Sequence, residues 1–417
     1  MPTAANNITV NQAFFEPLEG LAAASPAWRP CPDFSDDDYL RLGVQRVLES
    51  SESGRAFLQE HGVRFENAPE LCNYFAALRS ARRCVVLRDV SHGLISAANQ
   101  KLHDRLADIL ELANYECFAG DGHWHKAAVH DTRHEDTKMA VGHFYSLNLR
   151  THTLRHLAAG EGLHEHDMSA LKRIKPKGLR QGVPKGKRVL IVYDKAGIDF
   201  DYWKRCRQEC AVYLLSRVKE NMVFDWLESV LVDHSDARNH GVSEDRRVMT
   251  RDGHRLRIIY YTDPQTGEKY EFLTNEMDLP PGVLVELYRR RWEVEKTFDA
   301  IKNKLGEKKA WASSLVAKEA QAQFIAITHN LLLLYEQKLE TEHGVTNQAE
   351  DERRAKRIKA AVAECEKVGQ SLSSLVAGAR RATQRSVKFV RWIRQAIRDQ
   401  AAEGVAVLRL MKLYDAL

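Results

Sequence analysis

No C-x-x-C pair occurs among the seven cysteines of this 417-residue chain. Cys206 and Cys210, one helical turn apart, come nearest, so the sequence offers neither a disulfide framework nor a paired-cysteine zinc site. A reduced, cytoplasmic protein is expected. No apolar run reaches the roughly 18–20 residues of a membrane span. The opening MPTAANNITVNQAFF has no charged start and no apolar core of the signal-peptide kind. No membrane partner is therefore expected. Internal repeats are also lacking, which sets repeat architectures aside.

What is present suits a globular protein of two or three domains, with 44% hydrophobic residues to build a core. The net charge of +5 is mild but unevenly placed. Residues 351–417 hold fifteen Lys/Arg against seven Asp/Glu, a net of +8, which leaves −3 for residues 1–350. A second basic run, LKRIKPKGLRQGVPKGKR at 171–188, has eight cations and no acid. Either run alone reads as a solvated surface; together they favour a polyanionic partner.

Helical spacing marks residues 36–50, 67–83 and 96–113. Strand-like runs follow at 115–120, ending on Asp121, then at 143–150 and 153–160, with a short helix near 166–174. RVLIVYD (188–194) reads as a strand buried on both faces and ending in Asp194. A helix is expected over 199–210 and a second buried strand over 211–218. Asp252-Gly253 and DPQTG are turn signals inside a small β insertion at about 220–268, and EFLTN (271–275) returns to the core. From 311 onward the chain is again helical, most strongly at 320–340, and residues 341–357 read as a charged linker.

The stretch LYRRRWEVEKTFDAIKNKL (287–305) reads as one helix. Leu287, Val294, Phe298, Ile301 and Leu305 form its buried stripe. Tyr288, Arg291, Glu295 and Lys302 share a wedge roughly 60° wide beside that stripe, at about 100° per residue. Asp121, Asp194 and Glu295 would thus stand at two strand tips and on one helix. Three carboxylates so close repel one another unless a cation shares them. Hard oxygen donors suit Mg²⁺ or Mn²⁺, and two such ions about 3.5–4 Å apart serve phosphoryl transfer.

Those residues carry a resemblance to a known family. Tyr288, Arg291, Glu295 and Lys302 match without a gap the Y-x2-R-x3-E-x6-K signature of the DDE transposases of bacterial insertion sequences, in the cut-and-paste branch. RVLIVYDKAGIDF resembles the segment with the second Asp, and ECFAGDGHWH the segment with the first, although Asp121-Gly122-His123 departs from the usual D-G-T-like triplet. The resemblance spans roughly residues 110–335. It implies an α/β fold: a ribonuclease-H-like core with a β-rich insertion, flanked by helical N- and C-terminal regions. The expected divisions are 1–110 for DNA binding, 111–310 for the catalytic core, and 311–417 for dimerisation or DNA contacts. The implied activity is metal-dependent DNA cleavage at insertion-sequence ends followed by strand transfer into target DNA. Asp121, Asp194 and Glu295 would hold two Mg²⁺ ions, with Mn²⁺ able to substitute. Tyr288, Arg291 and Lys302 would hold DNA phosphates, and Trp226 is weighed as a surface for a flipped base. The implied partner is double-stranded DNA, both terminal inverted repeats and target, bound by a homodimer associated with the nucleoid.

Two other readings were open. His123, His125, His130, His134 and His143 fall within 21 residues, which suggests a mononuclear metal hydrolase of a small molecule. A catalytically silent DNA-end-binding protein would keep the same surface without the chemistry.

Overall fold

The computed structural model describes residues 8–49, 53–64, 69–128, 140–160, 167–264, 266–305, 307, 309–346, parts of 352–367, and 387–415. Helices α1 (Val10–Phe15), α2 (Asp36–Glu49), α3 (Gly54–Arg64), α4 (Leu71–Leu78) and α5 (Ala81–Lys101) form the N-terminal region. The segment 67–83, read as one helix, contains the end of one and the start of another. Ser80 stops the first by capping the second, its hydroxyl accepting from Arg83 N. The helix expected over 96–113 ends at Lys101. Beyond it the Asp104 carboxylate takes the Leu106 N–H at 2.8 Å and Arg105 N donates to Arg150 O, so the backbone finds non-helical partners.

Asp36 anchors this region. Its buried carboxylate receives both Arg82 Nη atoms at 2.7 Å and Arg83 Nε at 3.2 Å. Asp36→Ala would strand the Arg83 guanidinium in the interior, and a loss of about 3–5 kcal/mol is expected in urea unfolding.

A single nine-stranded sheet follows: β1 (Tyr115–Lys126), β2 (Ala140–Asn148), β3 (Leu154–Ala159), β4 (Arg188–Val192), β5 (Val212–Arg217), β6 (Asp225–Ser229), β7 (Val242–Met249), β8 (Arg255–Thr262) and β9 (Lys269–Thr274). Its order is β3-β2-β1-β4-β5-β9-β8-β7-β6. The strands β1, β4 and β5 run parallel, and β2 runs antiparallel between β1 and β3. That is the ribonuclease-H-like arrangement. The β-rich insertion is not a separate lobe. Antiparallel pairing of β9 with β5, then of β8, β7 and β6 in turn, prolongs the core sheet.

The apolar runs of β4 and β5 alternate between two buried faces, as strand pleating requires. Val189, Ile191, Val212 and Leu214 share one core with Tyr202, Trp203 and Cys206 of α8 (Phe200–Cys210). Helices α6 (Asp167–Arg173) and α7 (Pro176–Leu179) complete that side. Leu190, Val192 and Leu215 face the other core, shared with α9 (Pro281–Arg289), α10 (Trp292–Asp299) and α11 (Leu315–His343). The long helix α11 packs on α2, α5 and β3. Its Asn330 amide bonds both the N–H and the C=O of Leu154, at 2.8 and 2.9 Å, which covers the β3 edge. Helices α12 (Val387–Arg398) and α13 (Glu403–Asp415) close against α1, where Val10 N donates to Ala401 O and Glu403 N to Ile8 O. Among the described residues no helix is long and apolar enough to cross a membrane.

Candidate active site

The pairing of β1 with β4 places the first two acids. The β1–β4 pairing ends at Ala119 and Val192, and Asp121 and Asp194 each lie two residues beyond it. Asp121 is not at a strand end, as its sequence suggested. The strand β1 continues to Lys126 because β2 goes on pairing with it after β4 has turned away. The strand β4 ends at Val192, two residues before Asp194, which stands in the turn that follows. One of its carboxylate oxygens accepts from Ala196 N at 2.8 Å and caps a short turn, while Ser216 Oγ donates to its carbonyl at 2.7 Å.

The third acid comes from a helix that differs from its sequence reading. The stretch 281–305 is not one helix: α9 ends at Arg289, α10 begins at Trp292, and a π-helical turn occupies Ala300–Lys304. Arg291 sits at the break and joins the acids. Its Nη1 lies 2.7 Å from Glu295 Oε1 and 3.7 Å from Asp121 Oδ2. Burial, together with the negative charges of Asp194 and Glu295, pushes the Asp121 carboxyl up to about 6, against the opposing pull of Arg291 and the Gly122 N–H. Asp121 therefore feels both other acids, and a guanidinium stands between it and Glu295. Among the described residues no three His, Cys, Asp or Glu side chains already close on a single metal position. The donors available at this site are carboxylate oxygens, the type that hard divalent cations prefer.

Tyr288 is nearly buried, its ring 4.8 Å from that of Phe272 and its hydroxyl bonded to Arg291. Lys302 is exposed on the π-helical turn, close enough to His123 and His125 to disfavour their protonation. The wedge thus separates into a buried phenol, a half-enclosed guanidinium–carboxylate pair and an exposed ammonium. Sequence reasoning missed three neighbours. Trp292, 57% exposed, carries the Arg291 guanidinium over its ring at 5.5 Å. Tyr193 and Gly120 pack against each other directly behind the two aspartates. Their one sequence signal was an aromatic and a glycine each preceding an Asp.

The histidines point inward. His123, His125 and His143 are each 2% exposed, and with His156 they form a chain of rings with centroids 4.7–5.5 Å apart under Phe298. His130 and His134 lie outside the described residues. The basic run 171–188 is largely engaged within the fold. Arg173 and Arg180 donate to the carbonyls of Ala159 and Cys210, Lys187 pairs with Glu116 and Arg188 with Asp278. Lys175, Lys177 and Lys185 are exposed. In the C-terminal basic region, Arg394 donates to Leu48 O and Arg398 pairs with Glu49, while Lys388 and Arg391 are exposed. Arg380, Arg381 and Arg385 lie outside the described residues.

The sheet order and the acids beside it define a ribonuclease-H-like α/β protein. Residues 143–331 match the family described as "Transposase DDE domain". Asp194, Tyr288, Arg291, Glu295 and Lys302 fall inside the match, and Asp121 precedes it. A solved structure, the "Cryo-EM structure of piggyBac transposase synaptic complex with hairpin DNA (SNHP)", aligns with 98% of this chain and 84% of its own at 11% identity. The TM-score is 0.38, a similarity too slight to bear on the site. No curated protein matches.

Proposed function

We propose that the protein is an insertion-sequence transposase that cleaves DNA at the element's ends and transfers the strands into target DNA. The observation that carries this is the meeting of Asp121 and Asp194, each two residues past the end of the β1–β4 pairing, with Glu295 through Arg291. In this reading the three carboxylates hold two Mg²⁺ ions, with Mn²⁺ able to replace them. When bound, such ions activate an attacking oxygen and stabilise the leaving one. The chain's own side chains do the rest. Arg291 exchanges its carboxylate partners for a DNA phosphate, a bidentate acceptor that suits its planar fork. The Tyr288 hydroxyl orients Arg291, and exposed Lys302 holds the neighbouring phosphate. Exposed Trp226, on the edge strand β6, offers a stacking face to an extruded base.

Residues 1–110 and 311–417 are assigned to recognition of the element's ends and to pairing of two protomers on DNA, around a catalytic core of 111–310. The reaction would take place at the nucleoid. Nothing favours the small-molecule hydrolase, because His123, His125 and His143 are enclosed by the sheet and α10. The silent end-binding protein is separated by experiment: it binds terminal repeats and never nicks them. Purified protein, Mg²⁺ and DNA carrying the element's terminal inverted repeats form the assay. Mg²⁺-dependent nicking at the repeat ends is expected, and binding without nicking would refute the transposase reading.

A further inference from the structure

Tyr193 precedes Asp194 and Gly120 precedes Asp121, each one residue beyond Val192 and Ala119, the last paired residues of β4 and β1. A methyl group on Gly120 would lie 1.9 Å from Tyr193 Cε1, so the ring occupies the space a side chain would need. On its other side, a Cβ at Gly197, in the turn that Asp194 caps, would lie 2.7 Å from Tyr193 Cβ. The tyrosine is thus held between two glycines, each beside one of the candidate carboxylates. Its backbone is also fixed, since Tyr193 N donates to Leu215 O at 2.9 Å and the next carbonyl takes the Ser216 hydroxyl. The ring is 3% exposed within the α8-side core, and its hydroxyl has no hydrogen-bond partner. With no hydrogen bond from its hydroxyl, the ring acts on its surroundings here through its shape.

We propose that Tyr193 and Gly120 form a positioning pair that sets the separation of Asp121 and Asp194, and so the cation affinity of the site; this rests on the carboxylate reading above. Where β4 leaves β1, hydrogen bonds no longer hold the strand tips together. The flat ring against a bare glycine then fixes how closely they approach. Adding a methyl group at Gly120 has to move either the clamped ring or β1, and β1 carries Asp121. Shifts of about 1 Å are enough to impair a preorganised site.

The test measures Mn²⁺ binding to the full-length protein by calorimetric titration, with thermal unfolding in parallel. Asp194→Ala tests the carboxylate reading by itself; wild-type-like binding by that variant would overturn both the reading and this proposal. If Asp194→Ala loses binding, Gly120→Ala is expected to weaken Mn²⁺ binding by roughly tenfold or more while unfolding cooperatively near the wild-type temperature. In Gly120→Ala/Tyr193→Leu the smaller side chain makes room for the methyl group, and affinity is expected to return to within about threefold of wild type. Tyr193→Phe, which keeps the ring, is expected to bind as wild type does. Wild-type affinity in Gly120→Ala, or a folded double variant that does not recover, would overturn the positioning role. Should Gly120→Ala fail to fold, Tyr193→Leu alone decides: weakened Mn²⁺ binding in a folded protein supports the role, and unchanged binding overturns it.

Discussion

Asp121→Ala, Asp194→Ala and Glu295→Ala are each expected to lower Mg²⁺-dependent end cleavage by on the order of a thousandfold or more while end binding persists. Removing one carboxylate from a shared cation site removes a ligand and also changes the charge balance felt by the other two. Burial and the two neighbouring acids already push the Asp121 carboxyl up to about 6, so this site is short of positive charge. The three variants should therefore fail alike, and pairwise combinations should add little, as for residues acting as a unit. Gel-shift binding and cleavage of labelled repeat DNA, run side by side, make the check. An Asp121→Ala protein that still cleaves would move the first acid to Asp131 or Asp136. Arg291→Ala should show a different signature. It loses cleavage through lost phosphate contact, yet the free protein binds Mn²⁺ more tightly than wild type, because the guanidinium no longer competes for Asp121 and Glu295.

Acid is expected to destabilise this protein as the pH falls below 6.5, through its buried histidines. Burial lowers His123 to about 3, His125 to about 4 and His156 to about 3, and lowers His143 as well. These groups are neutral in the fold, and their unfolded-state value is near 6.5. Their contribution is thus fully present above pH 6.5 and is lost as the pH falls from 6.5 towards 3. At pH 5 each of His123, His125 and His156 costs the folded state on the order of 2 kcal/mol relative to neutrality. The Gln323 amide at 3.3 Å from His156 Nδ1 and the His143–His156 contact at 3.3 Å suit neutral rings sharing one proton between them. Urea unfolding at pH 7.5 and pH 5 measures the loss. Equal midpoints at the two values would refute it, and His143→Gln should flatten the dependence.

The histidine cluster shows how far sequence reached. The number and spacing of its members are visible there, and a metal role follows from those alone. Their enclosure was not visible, because it depends on β1, β2 and β3 turning their inner faces towards α10 and α11, elements more than 100 residues away. In the basic run 171–188, which cations meet backbone carbonyls and which stay exposed is likewise a property of packing. The helix 287–305 was read as continuous since its apolar stripe is nearly regular, and nothing in its composition marks the break at Arg290–Arg291 or the π-helical turn.

Local chemistry settled the strand and helix types, the apolar runs of the parallel strands, the turns of the insertion, and the identities of Asp194 and Glu295 as acids at special places. Those follow from side-chain period and turn propensity, which act over a few residues. Only the tertiary structure decided that Asp121 and Asp194 lie just past the paired ends of neighbouring strands, that Arg291 bridges to Glu295, that the insertion prolongs the core sheet, and that Tyr193 fills the space beside Gly120. Register and steric fit are long-range properties, decided by which surfaces exclude water from each other once the whole chain has collapsed.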